Sequence, residues 1–132
     1  DALKEMLGPL SQLEGADLTV ETDWSPQQDF DGVSKNHILR IAQESVTNAL
    51  KHAQADRIVV RLQSGLEGLE LCITDDGSGF DVSEQDGKNG HFGLIGMRER
   101  ANKLKGRLLV QSEAGKGSTI RLIMPLKPAE ES

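Results

Sequence analysis

The sequence predicts an α+β domain, a two-layer sandwich in which helices cover one face of a mixed, mostly antiparallel sheet. Three observations predict it. The run from Ser34 to Ala53 contains no Gly or Pro and carries apolar residues at helical spacing. Segments 57–63, 69–74 and 119–124 alternate apolar and polar residues, as half-buried strands do. The first two of these are joined by a short turn with two glycines, which reads as an antiparallel hairpin.

Taken in order, residues 1–14 place Leu3, Met6, Leu7, Leu10 and Leu13 on a helical stripe. Gly8-Pro9 interrupts it, and a proline there is expected to kink or end the helix. Asp17–Thr22 alternates weakly as a short strand, and 23–33, with Trp24, Pro26 and Gly32, reads as a loop. Ser34 is the expected N-cap of the long helix. On that helix Ile38, Leu39, Ile41, Ala42, Val46, Ala49, Leu50 and Ala53 share one arc; His37, Arg40, Gln43, Glu44, Thr47, Asn48 and Lys51 share the other. A polar arc is ordinarily a solvated face. Here Glu44 and Asn48 stand one turn apart on it. A carboxylate beside a carboxamide, with Lys51 at the next turn, suits a metal ion, a water and a phosphate in line.

The rest of the chain alternates turns with short elements. Residues 54–56 turn into the strand 57–63 (Ile58, Val60, Leu62), and 64–68 turn into the strand 69–74 (Leu69, Leu71, Ile73). Asp75–Phe80 ends that strand, and 81–92 is a polar, glycine-rich stretch expected to be mobile. Gly93–Lys105 reads as a helix with Leu94, Met97, Ala101 and Leu104 inward and Gly106 at its C′ position. A strand over 107–111, a turn over 112–117, the strand 119–124 (Ile120, Leu122, Met124) and a polar tail complete the chain.

With 132 residues, 36% hydrophobic and 27% charged, the chain is the size of one folded domain. A net charge of −6 argues against nucleic acid or an anionic membrane as the main partner. An anionic ligand must then be held by local amides, helix N-termini or a bound cation. A single cysteine, Cys72, excludes a disulfide framework and fits a reducing compartment. No apolar run is long enough for a signal peptide or a membrane span. The chain opens on a helical pattern, as expected of a piece of a longer protein.

Three glycine-containing stretches carry candidate chemistry. Asp75-Asp76-Gly77-Ser78-Gly79 lets the backbone turn sharply beside a flat ligand, while Asp75, at a strand end, suits an exocyclic amine such as adenine N6. It lacks the G-x-G-x-x-G spacing of a dinucleotide fingerprint and the G-K-[ST] of a Walker loop. Gly90-His91-Phe92-Gly93-Leu94-Ile95-Gly96-Met97 introduces a helix whose free amides suit an anion. Gly115-Lys116-Gly117-Ser118-Thr119 is a turn followed by hydroxyls on a strand. Taken singly, each also describes an ordinary turn or cap.

In order, E-x-x-x-N on a helix, D-x-G-x-G, G-x-x-G at a helix start and G-x-G-[ST] before a final strand resemble the GHKL nucleotide-binding family of gyrase, heat-shock chaperones, histidine kinases and mismatch-repair ATPases. QESVTNALKHA, ITDDGSGF and HFGLIGMRERA resemble the ATP-binding catalytic domain of two-component sensor histidine kinases of the nitrate/nitrite-sensor type. The resemblance implies a Bergerat-type sandwich over 15–127, with 1–14 as a connection to a missing dimerisation and phospho-acceptor domain and 128–132 as a tail.

It also implies roles. Asn48 matches the asparagine that holds Mg²⁺ against the phosphates, and Glu44 an acid that in kinases supports the metal or its waters; these are the catalytic candidates. Lys51 matches a phosphate-side lysine, and Asp75 the adenine-recognising aspartate, with Gly77 and Gly79 shaping the pocket. Gly93, Leu94 and Gly96 match the glycine box at the phosphate end, and Ser118 with Thr119 the hydroxyls beside adenine. Asp76 is expected to face solvent. His52 and His91 are open between phosphate contacts and exposed side chains, and Arg98 and Arg100 between surface salt bridges and contacts to phosphate or partner.

The implied ligands are ATP and Mg²⁺. The implied partners are a dimerisation domain bearing the acceptor histidine and a response regulator. This chain alone is expected to be monomeric, and the intact protein a homodimer. Its place is the cytoplasmic side of an inner-membrane receptor. Two other readings share the fold: a serine kinase of the anti-sigma-factor type, and a nucleotide-sensing module without catalysis.

Overall fold

A computed structural model describes residues 2–23, 32–51, 53–64, 68–79 and 94–125. Helices α1 (Ala2–Glu14), α2 (Gly32–Lys51) and α3 (Leu94–Lys103) alternate with strands β1 (Asp17–Asp23), β2 (Arg57–Ser64), β3 (Leu69–Asp75), β4 (Arg107–Ser112) and β5 (Ser118–Met124). The strands form one sheet in the order β1-β2-β3-β5-β4. β1 and β2 run parallel, because the long helix between them returns the chain to the same end of the sheet. The other three pairs are antiparallel. Trp24 and its loop, His52, the turn at 65–67, residues 80–93 and the tail lie outside the described residues.

Register turns the alternation read from sequence into a continuous surface. Val20, Val60, Ile73, Ile120 and Val110 form one row across the sheet, and Leu62, Leu71, Leu122 and Leu108 the next. Period-two alternation sends all of these to one face. The three helices cover that face: α1 meets β1, α2 meets β2 and β3, and α3 meets β4. Ile41, Ala42 and Val46 of α2 are fully buried there. The opposite face carries polar alternates and cross-strand ion pairs, Arg61 with Glu21 at 2.6 Å and Arg121 with Glu70 at 2.7 Å. No helix among the described residues is long and apolar enough to cross a membrane.

Three local expectations are corrected. α2 begins at Gly32, so Ser34 lies in its first turn and is not its N-cap. The C′ position of α3 is Lys105, at φ 59°, and Gly106 is the next residue. The Gly106 amide donates to Ala101 O at 2.9 Å and the Lys105 amide to Asn102 O at 3.0 Å, a Schellman closure that places the left-handed residue one position earlier.

α1 runs unbroken through Pro9. Leu3 and Leu7 are buried in the common core, whereas Pro9 is exposed. On the solvent side of a helix that wraps a core, hydrogen bonds are already lengthened, so a missing N–H and a bulky ring are tolerated best there. Packing of the leucines keeps the helix whole against the local cost of the proline. Pro9→Ala should therefore raise stability by on the order of 1–3 kcal/mol in urea unfolding; an unchanged or lowered midpoint would mean that the proline fits its site without strain.

Candidate functional site

The row beyond Val60 and Ile73 changes character. It reads Leu18, Ile58, Asp75, Ser118, Ser112, so the helix-covered face turns polar at the ends of β3, β5 and β4. Asp75 is only 8% exposed and Ser118 9%. The Ser118 hydroxyl donates to Asp75 Oδ2 in a short hydrogen bond. Oδ1 accepts from the Gly77 amide at 2.8 Å. Each carboxylate oxygen has two acceptor directions. One internal donor on each leaves the carboxylate able to accept from a further, external N–H.

The loop after Asp75 is clamped on two sides. The Ser78 amide donates to Ala53 O at 2.9 Å, and a Cβ on Gly77 would come within 2.6 Å of that same carbonyl. A glycine is required there because the loop lies directly on the end of α2. On the other side the Gly115 amide donates to Ser78 O. Gly117, at φ +81°, brings its Cα so near Asp75 O that a Cβ would stand 2.2 Å away. The β4–β5 turn therefore closes on the Asp75 strand end through its backbone.

Asp76 was expected simply to face solvent. It is exposed, but its Oδ1 accepts from the Asp56 and Arg57 amides, each at 2.9 Å. It ties the Asp75 loop to the entry of β2.

On α2 the candidates separate by environment. Glu44 and Lys51 are exposed, and Asn48 is 7% exposed. The sequence places Asn48 on the polar arc, but at 100° per residue it lies only about 20° from Ile41, at the border of the apolar arc, and the fold buries it. Ser45, about 40° from Ile41 in the middle of that arc, was passed over. Its buried hydroxyl donates to Ile41 O at 2.8 Å and touches Met97 Sδ at 3.4 Å, joining α2 to α3.

Leu94 opens α3 with its side chain buried in the core, which leaves its backbone as the part able to meet a ligand. Gly96 is exposed in the first turn, and a Cβ there would meet nothing within 4 Å. Gly93 and His91 lie outside the described residues. Gly79, at φ +69°, packs on Glu113 O. Thr119 corrects the pairing of hydroxyls read from sequence. It registers with Thr74 on the opposite face, so only Ser118 stands beside the Asp75 carboxylate.

A cleft round the strand ends takes in Thr74, Thr119 and Gln111 from the outer face together with Asp75 and Ser118; no residue of α2 lines it. What joins Asp75 to α2 is the packing of Gly77 and Ser78 on Ala53. Among the described residues no cluster of three or more His, Cys, Asp or Glu side chains could hold a metal ion.

Comparison with known proteins adds the following. Residues 34–128 match the family model described as histidine kinase-, DNA gyrase B- and HSP90-like ATPase. The chain is 41% identical over 90 residues to the signal transduction histidine-protein kinase/phosphatase DegS of Bacillus subtilis, covering 67% of this chain and 23% of that protein. It is 36% identical over 131 residues to the nitrate/nitrite sensor protein NarQ of Escherichia coli, covering 99% of this chain and 23% of that protein. Among solved structures, the histidine kinase domain of the Erythrobacter litoralis EL346 blue-light activated histidine kinase superposes with a TM-score of 0.73 at 25% identity, covering 94% of this chain and 59% of that one. The chain thus spans about a quarter of the length of the curated relatives DegS and NarQ.

The Arg57 amide, the largest influence, holds the Asp76 carboxyl below its ordinary range; desolvation opposes this and the Asp56 amide reinforces it. A lowered carboxyl contributes stability that is present above the ordinary carboxylate pKa and lost as pH falls through the lowered value. Asp76→Asn should therefore be less stable than the parent near neutrality, with the gap closing as the solution is acidified. A gap in urea midpoint that stays constant from pH 7 down to about 2 would assign the loss to something other than the charge.

Proposed function

Because the chain belongs to the family of histidine kinase-, DNA gyrase B- and HSP90-like ATPases, we propose that it is the part of a sensor histidine kinase that binds MgATP and offers the γ-phosphate to a histidine on a separate helical domain. The observation that carries this reading is the buried Asp75–Ser118 pair at the polar end of an apolar sheet face. A purine has two apolar faces and a polar edge. Asp75 retains acceptor capacity for an exocyclic amine, and Ser118 fixes the rotamer of the carboxylate that receives it.

The residues present fit the rest of the ligand. Asn48 supplies one uncharged oxygen, Glu44 a carboxylate one turn earlier, and Lys51 a cation one turn later. Mg²⁺ keeps several waters and takes most of its other oxygens from phosphates, so a single carboxamide at Asn48 is a sufficient protein ligand. When bound, the ion neutralises charge on the phosphates. Glu44 orients the waters around it, and Lys51 faces the phosphates. Leu94 and Gly96 offer backbone amides at the start of α3, where the helix dipole favours an anion, and Gly93 precedes them in the sequence motif. Gly77 and Gly79 shape the base end. Nothing in this scheme asks the protein for a covalent step, since positioning and charge neutralisation suffice for phosphoryl transfer.

The acceptor belongs to the remainder of the protein. In this reading α1, residues 1–14, connects the domain to preceding helices that dimerise and carry the histidine, and a response regulator receives the phosphate from them. The whole receptor sits in the inner membrane with this domain on its cytoplasmic side. The relatives that bear histidine-kinase names favour a histidine acceptor over a serine.

Asp75→Asn removes a charged acceptor and should weaken ATP binding by about 1.5–3 kcal/mol in calorimetry; equal affinities would remove Asp75 from the base site. For the transfer itself, the chain is mixed with MgATP and its own upstream helical domain. Acid-labile, base-stable phosphate on that domain is expected. Phosphate that survives acid would instead point to a serine kinase.

A further inference from the structure

His37 and Arg100 meet across the α2–α3 contact, with His37 Nδ1 and Arg100 Nη1 3.1 Å apart in a part-buried setting. A guanidinium can only donate, so Nδ1 is the acceptor and carries no proton. This requires a neutral imidazole protonated at Nε2. Protonation at Nδ1 converts the acceptor into a donor and sets two cations against each other at hydrogen-bond distance. The bond therefore exists only with His37 neutral.

Among the described residues no carboxylate is paired with either side chain. On α3, Lys103 lies one turn beyond Arg100, and Glu99 beside it; both are exposed. Arg40, one turn along α2, is exposed, as are Lys4 and Glu5 of α1, which packs against α2. The strands beneath α2 present Ile58, Val60 and Ile73, and the Asp75 loop meets the other end of the helix where Gly77 packs on Ala53.

The contact has leverage on the site. α3 is ten residues long, and its core side is Leu94, Met97 and Ala101. Its hold on α2 includes the uncharged Ser45–Met97 contact and this bond. A short rod tied near its C-terminus pivots if that tie is released, and its N-terminal turn moves with it.

We infer that His37 and Arg100 are a positioning pair: their bond sets the seat of α3, and with it the amides of Leu94 and Gly96 at the phosphate end, and protonation of His37 releases it. This rests on the MgATP reading of the site. Neither residue touches the nucleotide; both act through α3. Imidazole as a class changes charge between about pH 5 and 8, and the pair is tested across that range.

The test compares the parent with His37→Gln, whose carboxamide oxygen can accept from Arg100 at any pH, and with His37→Leu, which cannot accept at all. MgATP affinity is measured by calorimetry at pH 8.0 and 5.5. Titration of the nucleotide's own phosphates is common to all three proteins and cancels in their ratios. The parent should match His37→Gln at pH 8.0 and fall about three- to tenfold below it at pH 5.5, reaching His37→Leu. A parent-to-Gln ratio that does not move with pH overturns the proposal while leaving ATP binding intact.

Amide hydrogen exchange over α3, compared between parent and His37→Gln at each pH without nucleotide, reads the pair independently. Faster exchange of the parent at pH 5.5 alone is expected, and equal protection at both pH values overturns it. Should none of the proteins bind MgATP, the ATP reading fails, and exchange still decides whether the pair releases α3.

Discussion

The site depends on a carboxylate placed where an apolar sheet face ends. Burying a charge is costly unless it is hydrogen-bonded, and here each oxygen of Asp75 has a donor from the protein itself: the Gly77 amide and the Ser118 hydroxyl. Neither donor is adjustable. Ser118 is fixed by its register opposite Asp75 in the β3–β5 ladder, and Gly77 by the loop's contact with Ala53. The carboxylate is held in one orientation before any ligand arrives, so little ordering remains to be done on binding.

That requirement explains features far from it in sequence. The β4–β5 turn must come within backbone distance of Asp75, so Gly117 has no side chain and a positive φ. Asp76 must be drawn toward the entry of β2, because its two amide acceptances stop the loop from swinging away. The end of α2 must reach Gly77, so the helix yields at Lys51 to a left-handed Gln54 and leaves Ala53 O pointing at Ser78. Two stretches distant from Asp75 in sequence, residues 53–57 and the β4–β5 turn, converge on one strand tip through their backbone atoms, met on its own side by the Asp76 carboxylate.

Much of this was legible in the sequence, and the limits have a physical pattern. Apolar periodicity located the eight elements among the described residues to within about two residues, because burial on one face imposes a local, repeating signal. Asp75 stands out in the sequence because a strand end followed by two glycines is also a local signal. The pairing of Asp75 with Ser118 was not derivable, since it depends on register between strands 43 positions apart. The same blindness put Thr119 beside Ser118, although in a strand their side chains leave opposite faces. Pro9 failed in the other direction: a strong local rule lost to the packing of Leu3 and Leu7, which local sequence does not weigh. Ser45 was missed because a hydroxyl in the middle of an apolar arc looks like noise until its partner on another helix is known.

On the proposed MgATP reading, the two ends of the site are built with different stiffness. The proposed base end sits on β3 and β5, interior strands with a hydrogen-bonded neighbour on each side, and moving it means breaking ladder bonds. The proposed phosphate end is the first turn of a ten-residue helix held, among the described residues, by three buried side chains, a thioether contact and one imidazole–guanidinium bond. Displacing α3 slightly breaks no backbone hydrogen bond within the sheet. An element that must admit a nucleotide and release it is drawn from the weakly held part of a structure. The base end has no such task, since a purine is recognised by a fixed edge and a fixed plane. The asymmetry between a rigid strand tip and a lightly tied helix therefore follows from what the two halves of the ligand demand.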